Sequence, residues 1–414
     1  MVNLKDIQEA LKNIQPFIHK TPLIFSNSFS RLINAEVHLK TENLQKTGSF
    51  KVRGAFNKLI NIQNENNPPS PPFTKGGKGG LSGKKVIAAS MGNHAQGVAF
   101  AANALGLHAK IVMPVTAPIV KQEATKGYGA EVVLYGENFG DALNHALSQK
   151  DYTFIHAFDD EKIIAGQGTI GIEITEDLKG IDFIIVPVGG GGLISGIASA
   201  VKALSPQTRI IGVQTESATA AHDSFKNKKI SDKLPLPTLA DGIAVGRIGE
   251  KTFEIMNKHV DEMLLVKEDS IAMAILLFLE RKKLVVEGAG AAPLAALIDN
   301  KDRFKNKRIV LVVSGGNIDF TLIDRIIHKG LVSSGRIGVF EVVVDDVPGS
   351  LHYVTGVIAS HKGNVLNVVH DRLAGGLPVG KTKVVFTVEV KGREHLEEIL
   401  SDLEIKGFGL RRYK

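Results

Sequence analysis

Short runs rich in Val and Ile, separated by segments of helical period, set the strongest limit on what this chain can fold into. The runs are Val86–Ala89, Ala109–Met113, Glu131–Leu134, Thr153–Ala157, Phe183–Val188, Arg209–Val213 and Arg308–Val313. Apolar runs without alternation predict strands buried on both faces, hence parallel sheets covered by helices. The expected fold is therefore α/β, with doubly wound parallel sheets in two subdomains. An amphipathic helix opens the chain, with Leu4, Ile7, Leu11 and Ile14 at helical spacing behind Asn3 as N-cap. Helices follow directly on the strands ending at Ala89, Val188 and Val313, and in open parallel sheets such carboxyl ends receive ligands.

Two stretches break the rhythm. Residues 64–83, with four Pro between 68 and 72 and five Gly between 76 and 83, read as a disordered surface insertion. Its KGGKGG lacks the Gly-Lys-Ser/Thr ending of a phosphate loop, and no strand feeds it. Near Gly330–Gly335 the β/α series stops. From Arg336 the pattern is strand (339–344), helix (349–361), strand (364–370), strand (383–390), helix (393–403) and a short terminal run, a βαββαβ ferredoxin-like module. The expected domains are 1–330, a linker at 331–335, and 336–414.

Composition removes several function classes. The chain has no cysteine, which excludes disulfides, thiolate metal sites and a cysteine nucleophile. Its 50 Lys+Arg against 43 Asp+Glu are dispersed without a basic block, so nucleic acid is not an expected partner. The longest strong apolar run, Ile271–Leu279, is too short to span a bilayer. The N-terminus alternates charged and apolar residues where a signal peptide needs an apolar stretch, so the expected compartment is the cytoplasm.

Four loops carry the chemistry. In Lys46-Thr47-Gly48-Ser49-Phe50-Lys51-Val52-Arg53-Gly54-Ala55, Lys51 sits in a helical first turn beside an aromatic ring, with Lys46 and Arg53 as cationic neighbours able to lower its pKa. Alone, it reads as a solvated surface lysine. Ser90-Met91-Gly92-Asn93-His94-Ala95-Gln96-Gly97 opens a helix whose free N–H groups can hold a carboxylate, or is simply an N-cap turn. The four consecutive glycines Gly189, Gly190, Gly191 and Gly192, followed by Leu193, let several N–H groups converge on a phosphate monoester. In Ser314-Gly315-Gly316-Asn317 a hydroxyl at a strand end can bond a heterocyclic nitrogen.

One lysine, one phosphate cradle, one carboxylate loop and one hydroxyl together describe a pyridoxal 5'-phosphate site. The chain here resembles the fold-type II pyridoxal-phosphate enzymes (tryptophan synthase β-like), and among them the threonine dehydratases. The resemblance covers residues 1 to about 330 through T-G-S-F-K-x-R-G-A, S-x-G-N-H-A-Q-G, G-G-G-G-L and S-G-G-N, with Thr238–Val245 as a fifth element containing Gly242. It implies that Lys51 forms the Schiff base and acts as general base, and that Phe50 flanks the ring. It further implies that Gly189–Gly192 with Leu193 hold the phosphate, Asn93 the phenolic oxygen and Ser314 the ring nitrogen, Gly242 completing the cofactor site. Ser90, Gly92, Asn93 and His94 would meet the substrate carboxylate. The implied reaction is β-elimination of water from L-threonine, giving 2-oxobutanoate and ammonia, and from L-serine, giving pyruvate.

The C-terminal module resembles the ACT regulatory domain, which implies an amino-acid effector and, with it, a homo-oligomer, dimer or tetramer. Two positions depart from relatives. Met91 stands where serine-racemising relatives carry a second serine. Glu216 and Ala220 are followed by His222 where cation-binding relatives complete E-x-x-x-A-x-D, so no metal site carries over. Glu287 resembles a family active-site glutamate, or caps the next helix. Two alternatives stay open: a serine dehydratase or serine-racemase-like enzyme, and a catalytically inactive amino-acid sensor on the same scaffold.

Overall fold

The computed structural model describes residues 1–64, 84–372 and 376–413, so the insertion expected at 64–83 lies, from residue 65, outside them. Two compact units emerge, Met1–Ile318 and Asp319–Lys414. The first runs α1 (Leu4–Ile14), β1 (Leu23–Phe25), α2 (Asn27–Ile33), β2 (Glu36–Thr41), α3 (Lys51–Asn64), β3 (Lys85–Ala89), α4 (Asn93–Ala104), β4 (His108–Met113), α5 (Ile119–Gly127), β5 (Glu131–Leu134), α6 (Phe139–Ser148) and β6 (Thr153–Phe154). It continues with α7 (Glu161–Asp177), β7 (Phe183–Pro187), α8 (Gly192–Leu204), β8 (Arg209–Thr215), α9 (Ala220–Asn227), α10 (Glu250–His259), β9 (Glu262–Val266), α11 (Glu268–Leu277), α12 (Gly288–Asp299) and β10 (Arg308–Val313).

These strands form two sheets, in the orders β1-β2-β10-β7-β8-β9 and β5-β4-β3-β6. All pairings are parallel except β1 with β2. The unalternating runs behave as their composition demands: β7 is buried at every position, and β10 from Ile309 to Val313 is fully sequestered, because helices cover both faces. At the N-terminus Asn3 caps α1 in a reciprocal box with Asp6. All four chemically marked loops leave carboxyl ends: 90–93 after β3, 189–191 after β7, 314–317 after β10, and 42–50 between β2 and α3.

α3, α7 and α8 meet backbone against backbone. A Cβ on Gly166 would lie 2.7 Å from Gly54 Cα, and one on Gly196 would lie 2.5 Å from Gly168 N, so nothing larger than glycine fits along this seam.

In the second unit α13 (Phe320–Ser333) precedes β11 (Ile337–Asp345), α14 (Ser350–Ser360), β12 (Asn364–Asp371), β13 (Lys381–Glu389), α15 (Arg393–Ile405) and β14 (Gly409–Arg412). The antiparallel sheet has the order β12-β13-β11-β14. Its alternating inward residues, Phe340, Val342, Val384, Phe386 and Val388, pack on Val354 and Ile358 of α14 and Ile399 and Leu403 of α15. The division at Ile318/Asp319 falls before the sequence boundary near 330, because α13 groups with the C-terminal unit.

Candidate active site

The glycine loop after β7 is shaped by its neighbours. Gly191 has φ +93°, which L-residues rarely adopt, and caps α8. A Cβ on Gly190 would sit 2.4 Å from carbons of the Phe158 ring, and one on Gly191 would sit 2.8 Å from Thr252 Cβ. The Gly190 carbonyl accepts from Thr252 Oγ1 at 2.7 Å, fixing the peptide plane. The N–H groups of Gly189, Gly190, Gly191 and Gly192 meet no acceptor among the described residues. Four free donors at a helix start make an anion receptor, and Leu193 lies in the core beneath it.

Lys51 is the first residue of α3, half-buried, with Nζ donating to the Ala157 carbonyl at 3.0 Å and lying 5.3 Å from the Phe50 ring centroid. Burial lowers its pKa to about 8, against the opposing pull of the Glu287 carboxylate. The expected help from Arg53 and Lys46 needs correcting. Arg53 turns away into the core, neutralised there by Glu42 and Glu173, and Lys46 is exposed.

The lysine and serine loops are zipped together. Phe50 N donates to Ser314 O at 3.1 Å, Ser49 and Gly315 form an antiparallel bridge, and Gly316 N donates to Gly48 O. Ser314 itself is 2 % exposed. Asn317, to which sequence reasoning assigns no role, extends the tie: its Nδ2 donates to Thr47 O and to Asn93 Oδ1, both at 2.8 Å.

Asn93 begins α4, whose N-terminus has no side-chain cap and so presents free amides beside Ser90, and Ser90 Oγ accepts from Gly92 N at 3.2 Å. The His94 ring is buried and bonded to the Ile155 carbonyl at 3.0 Å, and burial drops its pKa to about 3. His94 is thus a neutral imidazole committed to the scaffold, and what it offers the carboxylate loop is its backbone N–H. Glu287 occupies the N-cap position of α12 without capping it; both carboxylate oxygens instead accept from Asn93 Nδ2 at 2.9 Å. Gly242 lies between these groups, since a Cβ there would be 3.2 Å from Ala289 Cβ and 3.5 Å from Glu287 Oε1.

Burial pushes the Glu287 carboxyl up to about 7. Its native form binds more protons than the unfolded one between the ordinary carboxylate pKa and 7, so this group's cost to stability appears as pH rises through that window and is complete above it. Glu287→Gln should therefore stabilise the protein at pH 8 by about 1–3 kcal/mol and by much less at pH 5. Urea unfolding at both pH values checks the difference, and an equal effect at the two would contradict it.

Over residues 14–315 the chain matches the family described as "Pyridoxal-phosphate dependent enzyme". It is 45 % identical to an L-threonine ammonia-lyase of Thermotoga maritima over 99 % of both chains, and 44 % identical to one of Geobacter sulfurreducens over 97 % of both. The chain belongs to the pyridoxal-phosphate-dependent threonine ammonia-lyase family. Among solved structures, the processed form of threonine deaminase isoform 2 from Solanum lycopersicum superposes with TM-score 0.71 at 37 % identity, covering 78 % of this chain and 86 % of that one. Maize serine racemase gives TM-score 0.70 at 31 % identity, covering 80 % and 98 %.

The residues present fit the family's cofactor. Four unbonded glycine amides suit its phosphate, a buried neutral hydroxyl at Ser314 suits its ring nitrogen, and a lysine of lowered pKa suits its aldehyde. They do not fit the divalent cation that some relatives of the threonine ammonia-lyases hold. Glu216 is exposed, His222 Nδ1 is paired with Asp223 at 3.1 Å, and the Lys233 ammonium already lies 2.7 Å from Thr219 Oγ1 and 3.3 Å from Asp223 Oδ2. Among the described residues no helix is long and apolar enough to cross a membrane.

Proposed function

We propose that this chain deaminates free L-threonine in the cytoplasm to 2-oxobutanoate and ammonia, and L-serine to pyruvate. Pyridoxal phosphate, when bound, supplies the electron sink for the pair released at the substrate Cα. Lys51 anchors the cofactor and, once substrate has displaced it, takes the Cα proton; a pKa of about 8 leaves a useful fraction of neutral amine near physiological pH. The Gly189–Gly192 amides hold the phosphate, and the Phe158 ring packs against Gly190 where any larger residue's side chain would go. Asn93, oriented by Glu287 and Asn317, addresses the phenolic oxygen. The Ser314 hydroxyl meets the ring nitrogen without forcing a proton on it, which weakens the sink and favours prompt loss of the β-hydroxyl. The free amides opening α4 and Ser90 orient the substrate carboxylate. Water is eliminated across Cα–Cβ, and the released enamine hydrolyses to the keto acid and ammonia.

The observation that carries this reading is the tie through Asn317, which brings the lysine, asparagine and serine loops into one site. Incubating the purified protein and cofactor with threonine and with serine, and measuring keto acid, tests it. No keto acid from either would favour the inactive-sensor alternative, against which Lys51 and its lowered pKa stand.

Met91 bears on the serine-racemase alternative. It packs at the margin of the core and has no proton to deliver to the far face of Cα. L-Serine should yield pyruvate with negligible D-serine. Chiral chromatography showing both at similar rates would contradict that.

The C-terminal unit we assign as a regulatory module binding a free amino acid, with a branched-chain end product the leading class. Supporting this are the sheet order β12-β13-β11-β14 and the turn at Pro348-Gly349, where Gly349 with φ +94° opens α14 without a side-chain cap. The edge strand β12 exposes Leu366, Val368 and Val369, which favours pairing with another copy in a dimer or tetramer. Effector coupling of ordinary size would shift apparent threonine affinity about 5–150-fold. Titrating isoleucine, valine and leucine against the full chain and a chain ending at Ile318 should produce the shift in the former alone; equal responses would remove the sensing role.

A further inference from the structure

Lys40, Glu42, Arg53 and Glu173 form a buried tetrad of charges, each at most 2 % exposed. Arg53 commits all five N–H groups, four to the carboxylates of the tetrad and one to Thr169. Nε and Nη2 each reach Glu42 at 2.8 Å, Nη1 and Nη2 reach Glu173 at 2.6 and 2.9 Å, and Nη1 also meets Thr169 Oγ1 at 3.1 Å. Lys40 Nζ closes the set between Glu173 and the Thr21 carbonyl. Charge balances within the tetrad, two of each sign.

Stability alone does not call for such a cluster, because apolar replacements of buried ion pairs are often neutral or stabilising. What a planar fork gripped by two bidentate carboxylates supplies is orientation. Arg53 is the third residue of α3, whose first is Lys51. Glu173 belongs to α7, which lies on α8 through the Gly168–Gly196 contact, and α8 begins at the glycine cradle. Lys40 and Glu42 lie at the end of β2, paired with β10, which delivers Ser314. The tetrad thus ties α3 to α7 and β2, which adjoin α8 and β10, so that it links, directly or through one packed neighbour, the elements that must meet one rigid aromatic aldehyde phosphate at its aldehyde, its phosphate and its ring nitrogen.

We propose that Arg53 is a positioning residue that sets the span from Lys51 to the Gly189–Gly192 cradle, matching it to the length of the cofactor. This rests on the role proposed above for Lys51. Arg53→Lys keeps the charge and loses the fork, while Glu42→Gln keeps the shape and loses one charged half of it. In the folded variants the dissociation constant for pyridoxal phosphate should rise, and kcat fall, by about 10- to 100-fold, the usual cost of a small misplacement. KM for threonine, set at residues 90–94, should move less than about threefold, a kcat-selective loss.

A purely structural tetrad would instead lower the melting temperature and leave cofactor affinity and kcat within about twofold, and that result overturns the proposal. Should neither variant fold, Thr169→Val, which deletes one hydrogen bond to Nη1, is read the same way with an expected loss of about two- to fivefold. Borohydride reduction of the unaltered holoenzyme followed by peptide mapping separates the two levels. Label on another lysine overturns the Lys51 assignment and the purpose given to Arg53 with it; label on Lys51 with unchanged variants overturns Arg53 alone.

Discussion

Lys51→Ala should abolish threonine turnover while the protein stays folded. Loss of a general base alone costs about 10²–10⁴-fold, and the role proposed for Lys51 gives the same amine the anchoring of the cofactor as well, so the combined loss should exceed that range. The fold should survive because the side chain makes a single hydrogen bond, to the Ala157 carbonyl, and removing it relieves the burial of an ionisable amine. Keto-acid assay, cofactor retention through gel filtration and a melting curve on one sample check the three parts. Turnover within tenfold of the parent would end the assignment of this lysine.

The largest stability effect is expected at Glu173. Its carboxylate faces Arg53 and Lys40 together, both fully sequestered, so Glu173→Ala leaves Lys40 without its carboxylate and Arg53 with Glu42 alone in the interior. Breaking a buried pair by removing one partner typically costs about 3–5 kcal/mol, and here two pairs lose the same partner. Against a typical stability of about 5–15 kcal/mol, that brings the chain close to unfolding at ambient temperature. Urea titration of Glu173→Ala and of Glu173→Gln should rank the parent first and alanine last. A loss below about 1 kcal/mol for alanine would mean the cations find other partners or water.

The sequence disclosed those parts of the fold whose physics is local. β3, β4, β7, β8 and β10 were legible because strands covered on both faces need uninterrupted Val and Ile, and the edge strand β5, half-exposed, was legible through its Val132-Val133 pair. β2 was not, since Glu36-Val37-His38-Leu39-Lys40-Thr41 carries charges whose ionic partners, Glu173 for Lys40 and Arg308 for Glu36, lie far along the chain. The run expected at Thr153–Ala157 shortens to Thr153–Phe154, because the chain bends there so that Ala157 and Phe158 reach Lys51 and Gly190.

In the site, each loop announced itself by glycine, serine or lysine at a strand end. How the loops bind one another did not: Asn317 meets Asn93, and Asn93 meets Glu287, across about two hundred residues of chain. Arg53 shows the same limit more sharply. It stands two residues after the site lysine, yet its guanidinium serves the opposite side of the helix.

The glycine seam between α3, α7 and α8 has a consequence for how this enzyme can diverge. With backbone against backbone, no side chain there can be trimmed or enlarged to absorb a displacement, so the seat of the cofactor is inherited nearly whole or lost. The loop 90–94, for which substrate contact is proposed above, follows β3 of the smaller sheet, and Gly92 there has open space around it. Acceptance of a different β-hydroxy amino acid can therefore be selected, or engineered, at Gly92 by single steps that leave Asn93 and its ties to Glu287 and Asn317 as before.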